Sequence, residues 1–353
     1  MNAEIKNFKS YPSLLKLFSL SLLFLFFSCK EKKIDRQISR SFYYWKSVFK
    51  LNAFEKQRLD SLKVKNIYIK FFDVDWDNTT NKPSPKAVVQ FADSSFKQFN
   101  IIPVIFITNE CIQKIDTAQV QNIAEKIMQL TKTIIFNNGF KEIQEVQIDC
   151  DWTVSTREKY FALLKHIKAL QPGAKLSATI RLHQIKFMGK TGVPPVDEGL
   201  LMCYNMGNLK NPSTKNSIIE TAELKKYTSN LSHYPLALDV ALPLFEWKVL
   251  FRKNIYTGLI ENLPDAVFNS SFVLKKENRF ELLQDTLLQG YDLKKGDVLR
   301  SEQSDYDEII NSAAAINSQL KNTSLNLSLY HLDSVILKKY SLHELETIYN
   351  SLR

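Results

Sequence analysis

Short apolar runs recur along the chain, separated by amphipathic stretches and polar turns. Nine of them read as strands: residues 42–45, 67–72, 102–107, 145–151, 176–181, 200–205, 236–241, 298–301 and 325–331. Several are near-continuous in Val, Ile, Leu and Phe rather than alternating, the pattern of strands covered on both faces. Helical spacing lies between many of them. Val120, Ile123, Ile127 and Leu130 share one face over 117–130. Tyr160, Leu163, Leu164 and Ile167 do so over 156–170, with Ser155 as N-cap and Pro172-Gly173 as stop. Segments 216–231 and 306–320 read the same way. Strand and helix alternating about eight times imply a parallel sheet, which in a chain of this size predicts a single (β/α)8 TIM-like α/β barrel. Nine strand candidates are one too many, and 298–301 and 325–331 are the weakest.

The first apolar run departs from this pattern. Lys6, Lys9 and Lys16 lead into residues 17–27, broken only by Ser19 and Ser21. About a dozen apolar residues suit a signal-peptide core, whereas a membrane-spanning helix needs about 20. The run stops at Ser28-Cys29, and Lys30-Glu31-Lys32-Lys33 follows. A small residue before Cys at such a point resembles the lipobox of bacterial lipoproteins, which implies cleavage before Cys29 and a lipid on it. The charged residues after it resemble the outer-surface export signal of Bacteroidetes lipoproteins. The expected organisation is a signal peptide over 1–28, a lipidated polar tether over 29–40 and a barrel over 41–353. The expected location is a bacterial cell envelope, on the outer rather than the inner membrane.

Net charge is +10, but residues 1–66 hold 14 Lys/Arg against 5 Asp/Glu, so the rest is close to neutral. That excludes a nucleic-acid binder and brings the basic stretch near anionic headgroups. With Cys29 lipidated, Cys111, Cys150 and Cys203 remain, at no metal-site spacing. Cys150 and Cys203 fall in apolar strand patterns and read as buried free thiols, with one disulfide as the alternative. No phosphate loop, dinucleotide fingerprint or nucleophile elbow is visible, so neither cofactor nor metal is expected.

In such barrels the working residues gather at the C-terminal ends of the strands. Residues 67–72 run into Asp73-Val74-Asp75-Trp76, and the next acidic end is Asp149-Cys150-Asp151-Trp152-Thr153. Later ends carry Arg181 and His183, then Tyr204 and Asn205, then Asp239, then Arg300 and Glu302. Alternation puts Asp149 and Asp151 on one strand face, about 7 Å apart. Their repulsion would raise one pKa, which suits acid/base work or stabilisation of a cation. Arg181, a charge ending an apolar strand, needs a partner, for which Asp149 and Asp151 are candidates. The Gly/Pro-rich segment 188–199 is expected to line the site.

Ile148-Asp149-Cys150-Asp151-Trp152 resembles the fourth-strand signature D-G-x-D-x-D-W-E of family 18 glycoside hydrolases, the chitinase-like barrels. Asp149, Asp151 and Trp152 fall on its second Asp, third Asp and Trp. Met202-Cys203-Tyr204-Asn205-Met206-Gly207 resembles the sixth-strand motif M-x-Y-D. With 42–45 as strand one, the two motifs fall on strands four and six. The resemblance implies a polysaccharide or oligosaccharide ligand, with Asp149 and Asp151 in catalysis and Trp152, Tyr204 and Asn205 at the sugar. The strand ends add Asp75, Trp76, Arg181, His183 and Asp239 to the binding set.

The departures from the signature bear on activity. Its closing Glu, the general acid, is Thr153 here, its first Asp is Val146, and the sixth-strand Asp is Asn205. A hydroxyl is no general acid near neutral pH, and substrate-assisted cleavage needs both the acid and the Asp beside it. One reading is a divergent hydrolase whose acid comes from elsewhere: Glu198, Asp239, Glu246 or Glu302, with His183 behind them. Another is a non-catalytic surface glycan-binding barrel, with Trp152, Trp247, Tyr204 and His183 as stacking surfaces and donors. A third is an envelope scaffold without a ligand.

Overall fold

The computed structural model describes residues 36–353 apart from 141–142, 262 and 269–270. The expected signal peptide, Cys29 and most of the tether lie outside the described residues.

Seven parallel strands come first: β1 (Gln37–Tyr44), β2 (Asn66–Asp77), β3 (Asn100–Ile107), β4 (Glu145–Asp149), β5 (Lys175–Arg181), β6 (Glu198–Met202) and β7 (Leu238–Pro243). An antiparallel sheet of β8 (Glu246–Arg252), β9 (Ile255–Ile260), β10 (Val273–Lys276), β11 (Arg279–Leu282) and β12 (Val298–Gln303) interrupts them, in the order β9-β8-β12-β11-β10. The eighth barrel strand is β13 (Ser324–Tyr330). It pairs in parallel with β7 on one side and with β1 on the other, where Gln37 faces Ser324 and Phe42 faces Leu329; β1 in turn pairs with β2. The barrel is therefore closed, as the alternation predicts.

Of the two weakest candidates, 325–331 is the closing strand. Its leucines, Leu325, Leu327 and Leu329, are buried on one face, while Asn326, Ser328 and Tyr330 occupy the other. The run 298–301 is not a barrel strand. Its alternation serves the insertion, whose own small core is built from Leu250, Ile260, Val273, Phe280, Leu282, Leu293 and Leu299.

The space within the barrel is polar and aromatic. The Tyr43 hydroxyl crosses from β1 to donate to Gln147 Oε1 of β4 at 2.5 Å, and Gln147 Nε2 reaches Ser177 Oγ of β5 at 3.3 Å. Tyr43 stacks on Tyr68 at 4.9 Å, and Asn326 Nδ2 donates to the Tyr68 hydroxyl at 2.8 Å. The apolar residues face outward, under the helices.

Helix α1 (Val120–Asn137) runs seven residues past the predicted end, burying Ile123, Ile127 and Ile134. Helix α2 (Arg157–Ala169) follows the prediction, but Ser155 does not cap it: the Thr153 N–H donates to Thr156 Oγ1 at 2.8 Å instead. Segment 216–231 is not one helix. Asn205 N–H donates to the Ile218 carbonyl at 2.8 Å, so 216–219 bends beside the loop after β6 with Ile218 and Ile219 buried. Helix is confined to α3 (Thr221–Lys225) and a 3-10 turn at Thr228–His233. Cys111, Cys150 and Cys203 are buried free thiols, not a disulfide.

At the N-terminal mouth a cavity of about 1010 Å³ is lined by Glu145, Lys175, Glu198, Asp239 and Asn326 among others. Burial, with Glu198 and Glu145 beside it, pushes the Asp239 carboxyl well above the usual carboxylate range. The unfolded chain releases this proton first, so stability falls as pH rises from about 4 to the folded-state value, and the deficit is constant above it. Asp239→Asn removes the deficit and keeps an acceptor for the Asn326 N–H. It is expected to raise the melting temperature by roughly 1–3 °C at pH 7, a gain of about 1 kcal/mol in a domain this large, and to raise it less near pH 4. Equal shifts at both pH values would contradict this.

Candidate functional site

The C-terminal mouth collects charge around an aromatic floor. Asp149, the last residue of β4, is buried and accepts a hydrogen bond from Thr179 Oγ1 of β5 at 2.6 Å. Arg181, two residues further along β5, is ion-paired through Nε with Asp151. Burial raises the Asp149 carboxyl above its ordinary value; Arg181 and Thr179 oppose the rise, and Asp73 adds to it. The expected repulsion between Asp149 and Asp151 is thus not the cause, because Arg181 neutralises Asp151.

A β-bulge in β2, where the register against β3 shifts between Lys70 and Phe72, brings Lys70 and Asp73 to the same side of the strand. They pair at 2.9 Å, and the Lys70 ammonium stands 5.5 Å from the centre of the Trp45 ring. The floor is Tyr204, just past β6, stacked on Tyr330 at the end of β13, with centroids 5.3 Å apart and planes at 25°. Phe245 meets both edge-on at 5.8 and 5.7 Å, Trp45 meets Tyr330 at 5.6 Å, and Trp247 packs on Phe245 at 5.2 Å. The Tyr204 hydroxyl is buried and has no hydrogen-bond partner among the described residues.

The mouth therefore brings together Asp149, Asp151, Arg181 and Tyr204. Asn205 lies exposed beside Tyr204 with φ +55°, and His183 stands just past Arg181, its imidazole pushed down by the partial desolvation of the ring and then by Arg181. Sequence reasoning passed over Lys70, Asp73, Trp45, Phe245 and Tyr330 as site residues.

Other candidates lie elsewhere. Trp152 is fully buried, stacked on Tyr160 at 5.2 Å, and its Nε1–H donates to the Thr191 carbonyl at 3.0 Å, so it packs rather than meets a sugar. Asp75 is engaged by Thr108 Oγ1 and by the Trp76 N–H, both at 2.8 Å, where β2 continues into a hairpin with Lys82–Lys86. Trp76 takes the opposite face of that strand from Asp75, 5.8 Å from the Lys114 ammonium. Asp239 is the second residue of β7, at the N-terminal mouth, because β7 begins two residues later than its apolar run. Glu198 is there too, paired with Lys175 at 2.5 Å. Segment 188–199 serves both ends: Thr191 supports Trp152, whereas Asp197 accepts from the Leu176 N–H at the start of β5.

Glu302 is in the insertion, not at a barrel strand end. It is buried, takes Arg300 Nε at 2.5 Å, and accepts from Ser217 Oγ and Trp247 Nε1 at 2.5 and 2.7 Å. Glu246 is ion-paired with Lys339. Thr153 is exposed on the turn before α2, its hydroxyl 2.9 Å from Ser155 Oγ.

No protein-family model matches the chain, and no curated protein sequence does. Solved structures do. The spore cortex-lytic enzyme SleL of Bacillus megaterium superposes with a TM-score of 0.53 at 10% identity, covering 90% of this chain and 74% of that one. The Bacillus cereus SleL gives 0.50 at 14% identity, covering 90% and 75%. A chitinase from Bacteroides thetaiotaomicron gives 0.50 at 10% identity, covering 89% and 97%. The chain shares the closed, eight-stranded parallel barrel of these proteins.

Proposed function

We propose that this protein binds a polysaccharide or oligosaccharide at the C-terminal mouth of its barrel. The observation that carries the reading is the Tyr204 hydroxyl, buried at this mouth without a partner among the described residues and within the electrostatic reach of Asp149 and Arg181. A buried hydroxyl left unpaired costs about 1–3 kcal/mol, and a sugar hydroxyl or acetamido group would satisfy it. The flat faces of Tyr330 and Trp45 and the surrounding carboxylates and cations suit a ligand with apolar C–H faces and many polar edges. The fold shared with cortex-lytic enzymes and a chitinase guides the choice of probes.

Purified protein titrated with chitin oligosaccharides and solubilised peptidoglycan should bind at least one of them saturably. Tyr204→Phe should weaken that binding roughly tenfold, about 1.4 kcal/mol, while leaving unfolding stability unchanged or higher. Absence of binding by folded wild-type protein to both probes would end the reading. Cleavage by the substrate-assisted route is not supported, because Thr153 offers no acid and Asp151 is held by Arg181.

We further propose that Cys29 carries a lipid that holds the barrel at a bacterial outer membrane. The apolar run, the Ser28-Cys29 junction and the polar residues after it support this. Cys29→Ser should move the protein from the membrane to the soluble fraction of fractionated cells. Unchanged partitioning would remove the anchor from Cys29.

A further inference from the structure

Taking the glycan-binding reading as its basis, we infer that Glu261 is the proton donor of a glycan-cleaving site at this mouth, supplied by the insertion sheet in place of the acid missing at Thr153. The acids proposed from sequence are committed elsewhere. Glu302 is bound by Arg300, Ser217 and Trp247, Glu246 by Lys339, and Glu198 and Asp239 lie at the far mouth.

Glu261 differs from them in position. Strand β9 pairs antiparallel with β8, with Val249 facing Leu259 and Lys248 facing Ile260. Carried one position past the end of β9, this register brings Glu261 across from Trp247, and residues directly opposite in an antiparallel pair share a face. That face is the one turned to the barrel. Trp247 packs on Phe245, which lies edge-on to both Tyr330 and Tyr204. The opposite face, with Leu250 and Leu299, closes the small core of the insertion.

Glu261 is exposed, and no hydrogen bond or ion pair engages it among the described residues. Its charge is nonetheless felt at the floor. Burial raises the Tyr330 hydroxyl, and Asp149 and Glu261 each raise it further. Two carboxyl groups thus bear on one tyrosine at the floor, one buried on the barrel wall and one free on the insertion.

The step consumes one water. Glu261 gives its proton to the glycosidic oxygen as the anomeric carbon–oxygen bond breaks, and that oxygen leaves with the bonding pair as a sugar hydroxyl. Water bonds to the anomeric carbon and loses a proton to the Asp149 carboxylate, and exchange with solvent restores both groups. General-acid assistance of this kind contributes about 10²–10⁴-fold.

The test assays wild-type protein, Glu261→Gln and Glu261→Asp for reducing ends released from chitin oligosaccharides and peptidoglycan, with binding measured on the same samples. Wild type should bind and release; Glu261→Gln should bind equally and release at least ~100-fold more slowly. Glu261→Asp should keep part of the rate. Equal melting temperatures will show that all three are folded. Binding without release by wild type, or an unchanged rate in Glu261→Gln, overturns the inference and leaves the binding reading intact. No binding by wild type removes both.

Discussion

Trp152→Ala is expected to lower the unfolding free energy by about 3–5 kcal/mol, the cost of emptying a large aromatic site in a packed core. The Trp152 side chain is fully buried against Tyr160 and Phe161. It also holds the chain at two points: its Nε1–H donates to the Thr191 carbonyl, and its own carbonyl accepts from Gln184 Nε2 at 3.1 Å. Alanine keeps only the second of these contacts. Trp152→Phe retains much of the stacking and loses the first bond, so it should cost about 1–2 kcal/mol. Guanidinium denaturation with an unchanged m-value would measure both. A Trp152→Ala protein as stable as wild type but unable to bind glycan would return this ring to the sugar site.

Trp152 also marks what periodicity conveys and what it omits. Apolar runs of strand length identified all eight barrel strands, several of them near-continuous and others, such as β13, alternating leucine with polar residues that face the barrel interior. The same rule could not tell a barrel strand from 298–301, where burial comes from a sheet outside the barrel. Alternation put Asp149 and Asp151 on one face and made both candidate partners for Arg181, yet which of them it meets depends on the adjacent strand, and the fold joins it to Asp151. Asp73 was hidden by a bulge, which turns the chain without a signature in composition. Tyr330 was hidden by distance: it stacks on Tyr204, 126 positions earlier, once β13 closes the barrel. Glu261 has no local pattern at all, since its position follows from strand register in an insertion that sequence reasoning had merged with the barrel.

Glu302→Ala is expected to cost about 3–5 kcal/mol, because it leaves Arg300 buried and uncompensated. Both side chains of this pair are fully buried, and Arg300 donates to the Leu209 and Asn211 carbonyls at 3.0 and 2.7 Å. The pair therefore ties the insertion to the loop after β6 as well as balancing charge. Glu302→Gln keeps an acceptor for Ser217 and Trp247 but not the charge, so it should fall between wild type and alanine. Replacing both partners at once, in R300M/E302L, removes the charge problem and should recover much of the loss; the two carbonyls still lose their donor, so recovery is incomplete. Denaturation of the two single variants and the double variant gives the coupling directly. A structural pair predicts that activity and glycan binding survive in Glu302→Gln under conditions where it stays folded. Loss of turnover in a fully folded Glu302→Gln protein would instead make Glu302 the acid, and would move the chemistry from Glu261, past the end of β9, to Glu302 on the other side of Trp247.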